Sequence, residues 1–357
     1  MEKRKKIVHV LKSSVYSGAE NVVLTAIKGL QEQYDFLYVA TDGPIREMLE
    51  KEKIPHILMK KFCIQELRKV LKDYKPDIVH AHDFSATVMC ALCGHYRIIS
   101  HLHYDPPWAR TWNLRTLTYW YLSRKISRIL AVSEGSYFNL VFSNYLKEKT
   151  EILINPIDKK RVLSMGEIYL PEKYDVIFVG RLVEQKNPVA FIEIIYEVKK
   201  QIKDIRCVMI GTGELEQKCR QFIEQKNLQN NIILKGFQKN PYCYMAASKV
   251  LCVTSKWEGY GLVAAEASIL AIPVLSTKTG GITAIIEPEA SELCDDKIDF
   301  AEKLGLLLTD SVQYASYKQR AAVRAEKLIT PEIYAKKLSS IYEKEIKTDE
   351  NAEKYKN

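Results

Sequence analysis

The chain reads as an α/β protein made of two doubly wound parallel sheets in series. Three observations predict this class. Short apolar runs alternate with helical patterns, the rhythm breaks once near the middle and restarts, and 357 residues exceed what one hydrophobic core usually fills. Single cores stop growing at roughly 250–300 residues. A hydrophobic content of 47% supplies apolar side chains for two.

Taken in order, Lys6–Leu11, Phe36–Ala40, Asp77–Ala81, Arg97–His101 and Arg128–Val132 read as strands with helices between them, the pattern of βα units around a parallel sheet. The rhythm resumes at Asp175–Gly180 and continues through Arg206–Ile210, Asn231–Gly236, Lys249–Thr254 and Ile272–Ser276. Between the halves, Ile157–Glu172 loses the strand pattern and contains Gly166 and Pro171, which places a linker at about 160–172. The expected domains are therefore 1–165 and 172–330. A last helix over 331–346 is expected to pack back on the amino-terminal domain, and the polar stretch 347–357 to form a flexible tail. Open α/β sheets bind ligands beyond the carboxyl ends of their strands, so the two domains are expected to face each other across a ligand cleft.

The charge is uneven. Residues 1–165 hold 26 Lys and Arg against 17 Asp and Glu, whereas 166–357 hold 27 against 27, so the amino half owns the whole net charge of +9. Such a half attracts nucleic acid, anionic lipid or an acidic small substrate, or simply keeps the surface soluble; charge alone does not choose. No nucleic-acid motif accompanies it, so no nucleic-acid partner is expected. Eight scattered cysteines and a start without a signal-peptide apolar run fit a reducing cytoplasm. Cys90 and Cys93 have no second pair at zinc-site distance and read as small core residues. No window offers the ~18 apolar residues of a membrane span.

The motif richest in chemistry is Ser255-Lys256-Trp257-Glu258-Gly259-Tyr260-Gly261-Leu262, continuing to Glu266. A glycine-rich turn into a helix start can seat a phosphate, because unpaired N–H groups and the helix dipole favour negative charge there. Glu258 and Glu266 then flank the turn and suit the hydroxyl-rich groups on either side of a diphosphate, a sugar and a ribose. An ordinary amphipathic helix start looks the same locally. Upstream, Gly180-Arg181-Leu182 and Lys186 follow a strand, and Pro188 suits a first helical position. Arg181 and Lys186 can neutralise a diphosphate, one by paired hydrogen bonds and one as a point charge, or be two exposed cations. Gly211-Thr212-Gly213-Glu214-Leu215 is a second glycine turn into a helix, without the third glycine of a dinucleotide fingerprint.

In this order and spacing, Gly180-Arg181-Leu182 with Lys186, Gly211-Thr212-Gly213-Glu214-Leu215, Gly236-Phe237, and Glu258 and Glu266 around Gly259-Tyr260-Gly261 resemble the family 4 glycosyltransferases of GT-B fold, of the kind that builds bacterial surface polysaccharides. In the amino half, Ser17-Gly18-Ala19-Glu20, Pro76 to His82, Ala131-Val132-Ser133-Glu134 and Asn155-Pro156-Ile157-Asp158 resemble further family segments. The resemblance implies that Arg181 and Lys186 hold the donor diphosphate, Glu258 the sugar hydroxyls, Gly261 and Leu262 the phosphate by backbone, and Glu266 the ribose. Gly180, Gly211, Gly213 and Gly259 line the donor site, and Gly18 faces the donor from the opposite domain. One departure is that many members carry a glutamate after the segment matching Gly280-Gly281-Ile282, where this chain reads Thr283-Ala284.

All seven histidines lie at or before residue 103, and His80/His82 and His101/His103 have the spacing that puts both side chains on one strand face. Zinc is conceivable there, but no carboxylate or cysteine stands at a recognised ligand spacing, and no metal or cofactor is expected. By resemblance His103 matches the family's active-site histidine, with His101 as the other register. The resemblance implies a retaining transfer of a hexose-type sugar from a nucleotide sugar, UDP-linked, to a glycan or lipid-linked glycan. The developing diphosphate charge would be met by Arg181, Lys186 and the helix start, and no Asp-x-Asp dyad holds a divalent ion. The alternative is a GT-B epimerase or hydrolase acting on the nucleotide sugar without an acceptor.

Between Trp108 and Lys125, aromatic and basic residues interleave, with Trp108, Arg110, Trp112 and Arg115 leading. Arg and Trp sit well at a lipid headgroup boundary, so this segment is the expected acceptor or membrane side, peripheral at the inner face of the plasma membrane. A core-packing helix with its basic residues in water reads the same way.

Overall fold

The apolar runs of the amino half pair in parallel. In the computed structural model, which describes residues 4–287 and 292–354, one unit comprises residues 1–156 with 329–357 and a second comprises 157–328. The first holds strands β1 (Lys5–Val10), β2 (Tyr34–Thr41), β3 (His56–Met59), β4 (Ile78–His82), β5 (Ile98–Leu102), β6 (Ile126–Ala131) and β7 (Thr150–Ile152), in the order β3-β2-β1-β4-β5-β6-β7. The direction of winding reverses between β1 and β4, the switch point of a doubly wound sheet. There the register sets His9 opposite His80, and His82 opposite His101 on β5. Every residue of β4 and β5 is buried, as strands covered by helices on both faces must be.

The second unit holds β8 (Tyr174–Val179), β9 (Cys207–Ile210), β10 (Ile232–Gly236), β11 (Ser248–Val253), β12 (Val274–Thr277) and β13 (Leu293–Cys294), in the order β10-β9-β8-β11-β12-β13. Its switch point lies between β8 and β11, so the segments after Val179 and Val253 emerge at the ligand-binding edge. Strands β3, β7 and β13 escape the sequence pattern because they are edge strands of two to four residues, and β3 and β7 are only partly buried.

Two boundaries differ from expectation. The stretch assigned to a linker at 160–172 begins instead with a helix, Lys159–Gly166, which belongs to the second unit and packs on the helices Tyr242–Ala246 and Leu262–Ile269. Asp158 caps it by accepting from the Arg161 amide at 3.0 Å. The domain break therefore falls near residue 156, because a short helix with one buried valine leaves no strand signal. The last helix runs over Pro331–Lys354, so the residues expected as a tail from 347 continue it, and 355–357 lie outside the described residues.

That helix docks on the first unit. Tyr334, Leu338, Ile341 and Tyr342 enter the same core as Val23, Ile27 and Leu30, and a Cβ on Gly29 would come within 2.9 Å of Ala335 Cβ. Buried Glu345 accepts from Arg97 at 3.3 Å and from Arg128 at 3.2 Å, which pins the helix beneath β5 and β6.

Candidate functional site

Backbone pressed against backbone builds the edge of the second sheet. The Gly180 amide donates to Ile210 O at 3.0 Å and the Gly211 amide to Gly236 O at 2.8 Å, so the tips of β8, β9 and β10 are tied in a row. Gly211 has φ +131°, and a Cβ there would stand 2.0 Å from Gly180 O; at Gly213 it would stand 2.4 Å from Leu182 O. Only glycine permits both approaches. Leu182 is clamped in return, donating to Thr212 O at 2.9 Å and accepting from the Leu215 amide at 2.8 Å.

The loop after β11 is fastened to the loop after β8. Thr254 Oγ1 donates to the carbonyls of Lys186 and Asn187, the Lys256 amide donates to Gln185 O at 2.8 Å, and Gln185 Nε2 donates to Trp257 O at 3.2 Å. Asn187 takes a left-handed φ of 49°, and Pro188 opens the next helix. These ties bring Lys186 Nζ to 2.6 Å from Glu258 Oε2, which also accepts from Ser255 Oγ at 3.1 Å. Both charges are largely withdrawn from water. Arg181 lies outside this pair, exposed, donating to Gln185 Oε1 at 3.3 Å.

Gly261, at φ +94°, turns the chain into the helix Leu262–Ile269. A Cβ on Gly281 would fall 1.9 Å from Glu258 O and 2.3 Å from the Gly259 carbonyl carbon, so the turn after β12 underlies the Glu258–Gly259 peptide. One helical turn on, Glu266 accepts from Tyr242 Oη at 2.9 Å. Desolvation lifts its carboxyl to about 7, against the Tyr242 hydrogen bond and the positive charges of Arg161 and Lys186. Gly180, Arg181, Lys186, Gly211, Gly213, Glu258, Gly259, Gly261, Leu262 and Glu266 thus converge on adjacent strand ends at the switch point. Sequence reasoning missed Tyr242, Arg161 and Gly281. The first two stand in no motif, whereas the Gly280-Gly281 pair after a strand was a usable signal.

In the first unit, Gly18 is the first residue of the helix Gly18–Leu30, following Ser17, whose amide and hydroxyl both donate to buried Glu20. Five imidazoles crowd the β1, β4 and β5 ends. His9 Nδ1 lies 2.9 Å from His82 Nε2, His82 Nδ1 lies 2.9 Å from His103 Nε2, His80 Nε2 lies 3.3 Å from His101 Nδ1, and His80 Nδ1 lies 2.7 Å from Tyr342 Oη. Burial drives His9 and His103 down to about 3 and holds His80, His82 and His101 well below the ordinary range, so all five rings are neutral. The trios His9/His80/His82 and His82/His101/His103 each place ring nitrogens within 4.8 Å of one another. His103 is also anchored through its amide, which donates to Asp83 Oδ1 at 2.9 Å.

The segment after β5 divides into an inner and an outer part. Arg110, itself exposed, donates to buried Asp105 at 2.8 Å, and half-buried Trp108 packs edge-on against Phe84 with the Arg115 guanidinium 5.5 Å from its ring centre. Asp105 also accepts from Asn139 Nδ2. The helix Leu114–Leu122 buries Tyr119 and Leu122 and exposes Leu114, Leu117 and Tyr121 on its other face, next to exposed Trp112 and Tyr145.

The raised Glu266 carboxyl has a stability consequence with a definite sign. Its ordinary value is 4.5 and its folded value about 7, so ionisation penalises the folded state; the penalty is absent well below pH 4.5, grows between 4.5 and 7, and is complete above 7. Glu266→Gln should match wild type in Tm at pH 4 and exceed it at pH 8 in nucleotide-free protein. A Gln variant with a lower Tm at pH 8 contradicts this.

Comparison with known proteins agrees with the geometry. Residues 16–161 match the family Glycosyltransferase Family 4, and residues 167–324 match Glycosyl transferases group 1. An uncharacterized glycosyltransferase of Methanocaldococcus jannaschii is 27% identical over 77% of this chain and 76% of its own. An N-acetylgalactosamine-N,N'-diacetylbacillosaminyl-diphospho-undecaprenol 4-alpha-N-acetylgalactosaminyltransferase of Campylobacter jejuni is 30% identical over 57% of this chain and 56% of its own. Among solved structures, Anabaena HepE in complex with UDP and glucose superposes with a TM-score of 0.84 over 96% of this chain and 100% of that one; at 18% identity this speaks to the fold. With two Rossmann-like units and consecutive family matches along most of its length, the chain belongs to the family 4 glycosyltransferases of GT-B fold.

Proposed function

We propose that this glycosyltransferase moves a hexose-type sugar from a UDP-sugar to a glycan or lipid-linked glycan of the cell envelope, with retention of configuration and without a catalytic metal. The observation that carries the reading is the Lys186–Glu258 pair held beside glycine-lined strand ends, with Glu266 one helical turn further on. An ammonium has three N–H donors, and one of them meets Glu258, so two remain for diphosphate oxygens. Arg181 adds an exposed cation, and the helix start at Leu262 adds backbone N–H groups. Together they stabilise the charge that grows on the departing diphosphate. Glu258 accepts from sugar hydroxyls and Glu266 from the ribose. Gly18 and His103 meet the donor sugar, and a leaving phosphate oxygen takes the acceptor's proton.

The acceptor class draws support from the Campylobacter relative, whose name specifies a diphospho-undecaprenol substrate. Among the described residues no helix is long and apolar enough to cross a membrane. Leu114, Leu117 and Tyr121 lie at i, i+3 and i+7 on one exposed helix face, beside Trp112, Arg115 and Arg124. An apolar stripe rimmed by arginines suits the boundary of an anionic membrane.

Thermal shift against a panel of nucleotide sugars tests the donor site. One UDP-sugar should raise Tm by several degrees, and Lys186→Ala and Glu266→Ala should each weaken that ligand by roughly tenfold to a hundredfold, the scale of a lost charge-assisted hydrogen bond. Indifference to every nucleotide contradicts the reading, and rapid turnover without any acceptor assigns a hydrolase instead. Flotation with vesicles containing phosphatidylglycerol tests the membrane face. Wild type should float and Leu114→Ser/Leu117→Ser should not; equal behaviour removes the membrane role.

A further inference from the structure

Three helices of the second unit converge on Glu266. The helix Lys159–Gly166 ends flush against the other two: a Cβ on Gly166 would stand 2.6 Å from Leu270 Cδ2, at the end of Leu262–Ile269, and 3.8 Å from Ala246 Cβ, at the end of Tyr242–Ala246. Asn240 fastens the turn before Tyr242 to the same helix. Its Nδ2 donates to Met165 O at 2.9 Å, and its Oδ1 accepts from the Tyr242 amide at 3.1 Å. Buried Cys243 and Met245 hold the short helix down.

Tyr242 is thus fixed at its backbone, and a phenol has only two side-chain torsions and one proton to give. Its Oη donates that proton to Glu266 Oε1 at 2.9 Å. Among the described residues the other oxygen, Oε2, has no hydrogen-bond partner, and it is not enclosed. The carboxylate therefore has one oxygen held and one open.

A glutamate has three torsions of its own, and the freedom lost on fixing them weakens any bond it makes to a ligand. The Tyr242 bond meets that loss before a ligand arrives. It also favours the ionised carboxyl, as the charges of Arg161 and Lys186 do, against the desolvation that raises it. On the opposite face of the helix, Arg324 is taken up by Ser268 and Glu292.

We propose that Tyr242 is a positioning residue for nucleotide selection: by holding Oε1 of Glu266 it leaves Oε2 set for the ribose hydroxyls of the donor, and so makes the site choose ribose over a sugar that lacks them. This role rests on the reading above that Glu266 accepts from the ribose.

Calorimetric titration of the full chain with UDP and with 2′,3′-dideoxy-UDP, which lacks both ribose hydroxyls, reads the choice. Wild type should bind UDP about tenfold more tightly than the dideoxy form, the scale of one charge-assisted hydrogen bond. Tyr242→Phe should keep the dideoxy affinity and lose most of that preference, whereas a slackened fold would weaken both nucleotides alike. The pH above which the preference is full should also rise in Tyr242→Phe, because a bond that favours the carboxylate is gone. In Glu266→Gln the preference should be small and flat with pH. A preference intact in Tyr242→Phe but lost in Glu266→Gln overturns the role of Tyr242 and keeps that of Glu266. Equal weakening of both nucleotides in Tyr242→Phe overturns it as well. Equal affinity of wild type for the two nucleotides removes the ribose reading, and the role of Tyr242 with it.

Discussion

The carboxyl-terminal site depends on contacts between backbones that no side chain could share. At Gly211, Gly213 and Gly281 an added Cβ would lie 2.0, 2.4 and 1.9 Å from the carbonyl oxygens of Gly180, Leu182 and Glu258. Each approach removes a spacer the width of a methyl group and draws two loops together at the sheet edge. The consequence is electrostatic. Loops this close bring Lys186 onto Glu258 and leave the peptide dipoles of Gly259 to Leu262 fixed, so the polar groups need not reorganise when a charged ligand arrives. Moving any of these glycines to alanine would push apart groups whose separation sets their interaction.

The amino-terminal unit meets a different constraint. A sheet buried on both faces has no room for charge, yet β1, β4 and β5 carry His9, His80, His82 and His101 inward. The cost is contained by keeping the rings neutral and letting them satisfy one another, with Tyr342 of the last helix closing one row. The carboxyl-terminal helix is therefore part of the histidine cluster's support as well as of the apolar core, and Glu345 fastens it through Arg97 and Arg128. Folding and site geometry share these residues.

Much of this was legible in the sequence. Continuous apolar runs announced the central strands, because strands covered on both faces must be apolar throughout, and the ordered glycine and glutamate motifs marked the loops after β8, β9 and β11. The edge strands were not legible: β7, Thr150–Ile152, has no buried residue and thus no pattern to read. The helix Lys159–Gly166 leaves no helical signal in the sequence because it buries only Val162. Alternation along single strands placed His80 with His82 and His101 with His103. Adding His9 required the register of β1 on β4, which is a property of pairing and not of either segment. Tyr242 reaches Glu266 only through the fold, and nothing near Pro241 signals it.

In the proposed function, peptide dipoles with Lys186 and Arg181 hold a nucleoside diphosphate on this sheet edge unaided. Calorimetric titration of UDP into the full chain, with EDTA and then with excess magnesium, tests it most directly. The claim predicts one saturable site per chain with the same affinity in both buffers. Heat of binding seen only with magnesium, or no binding in either buffer, would contradict it.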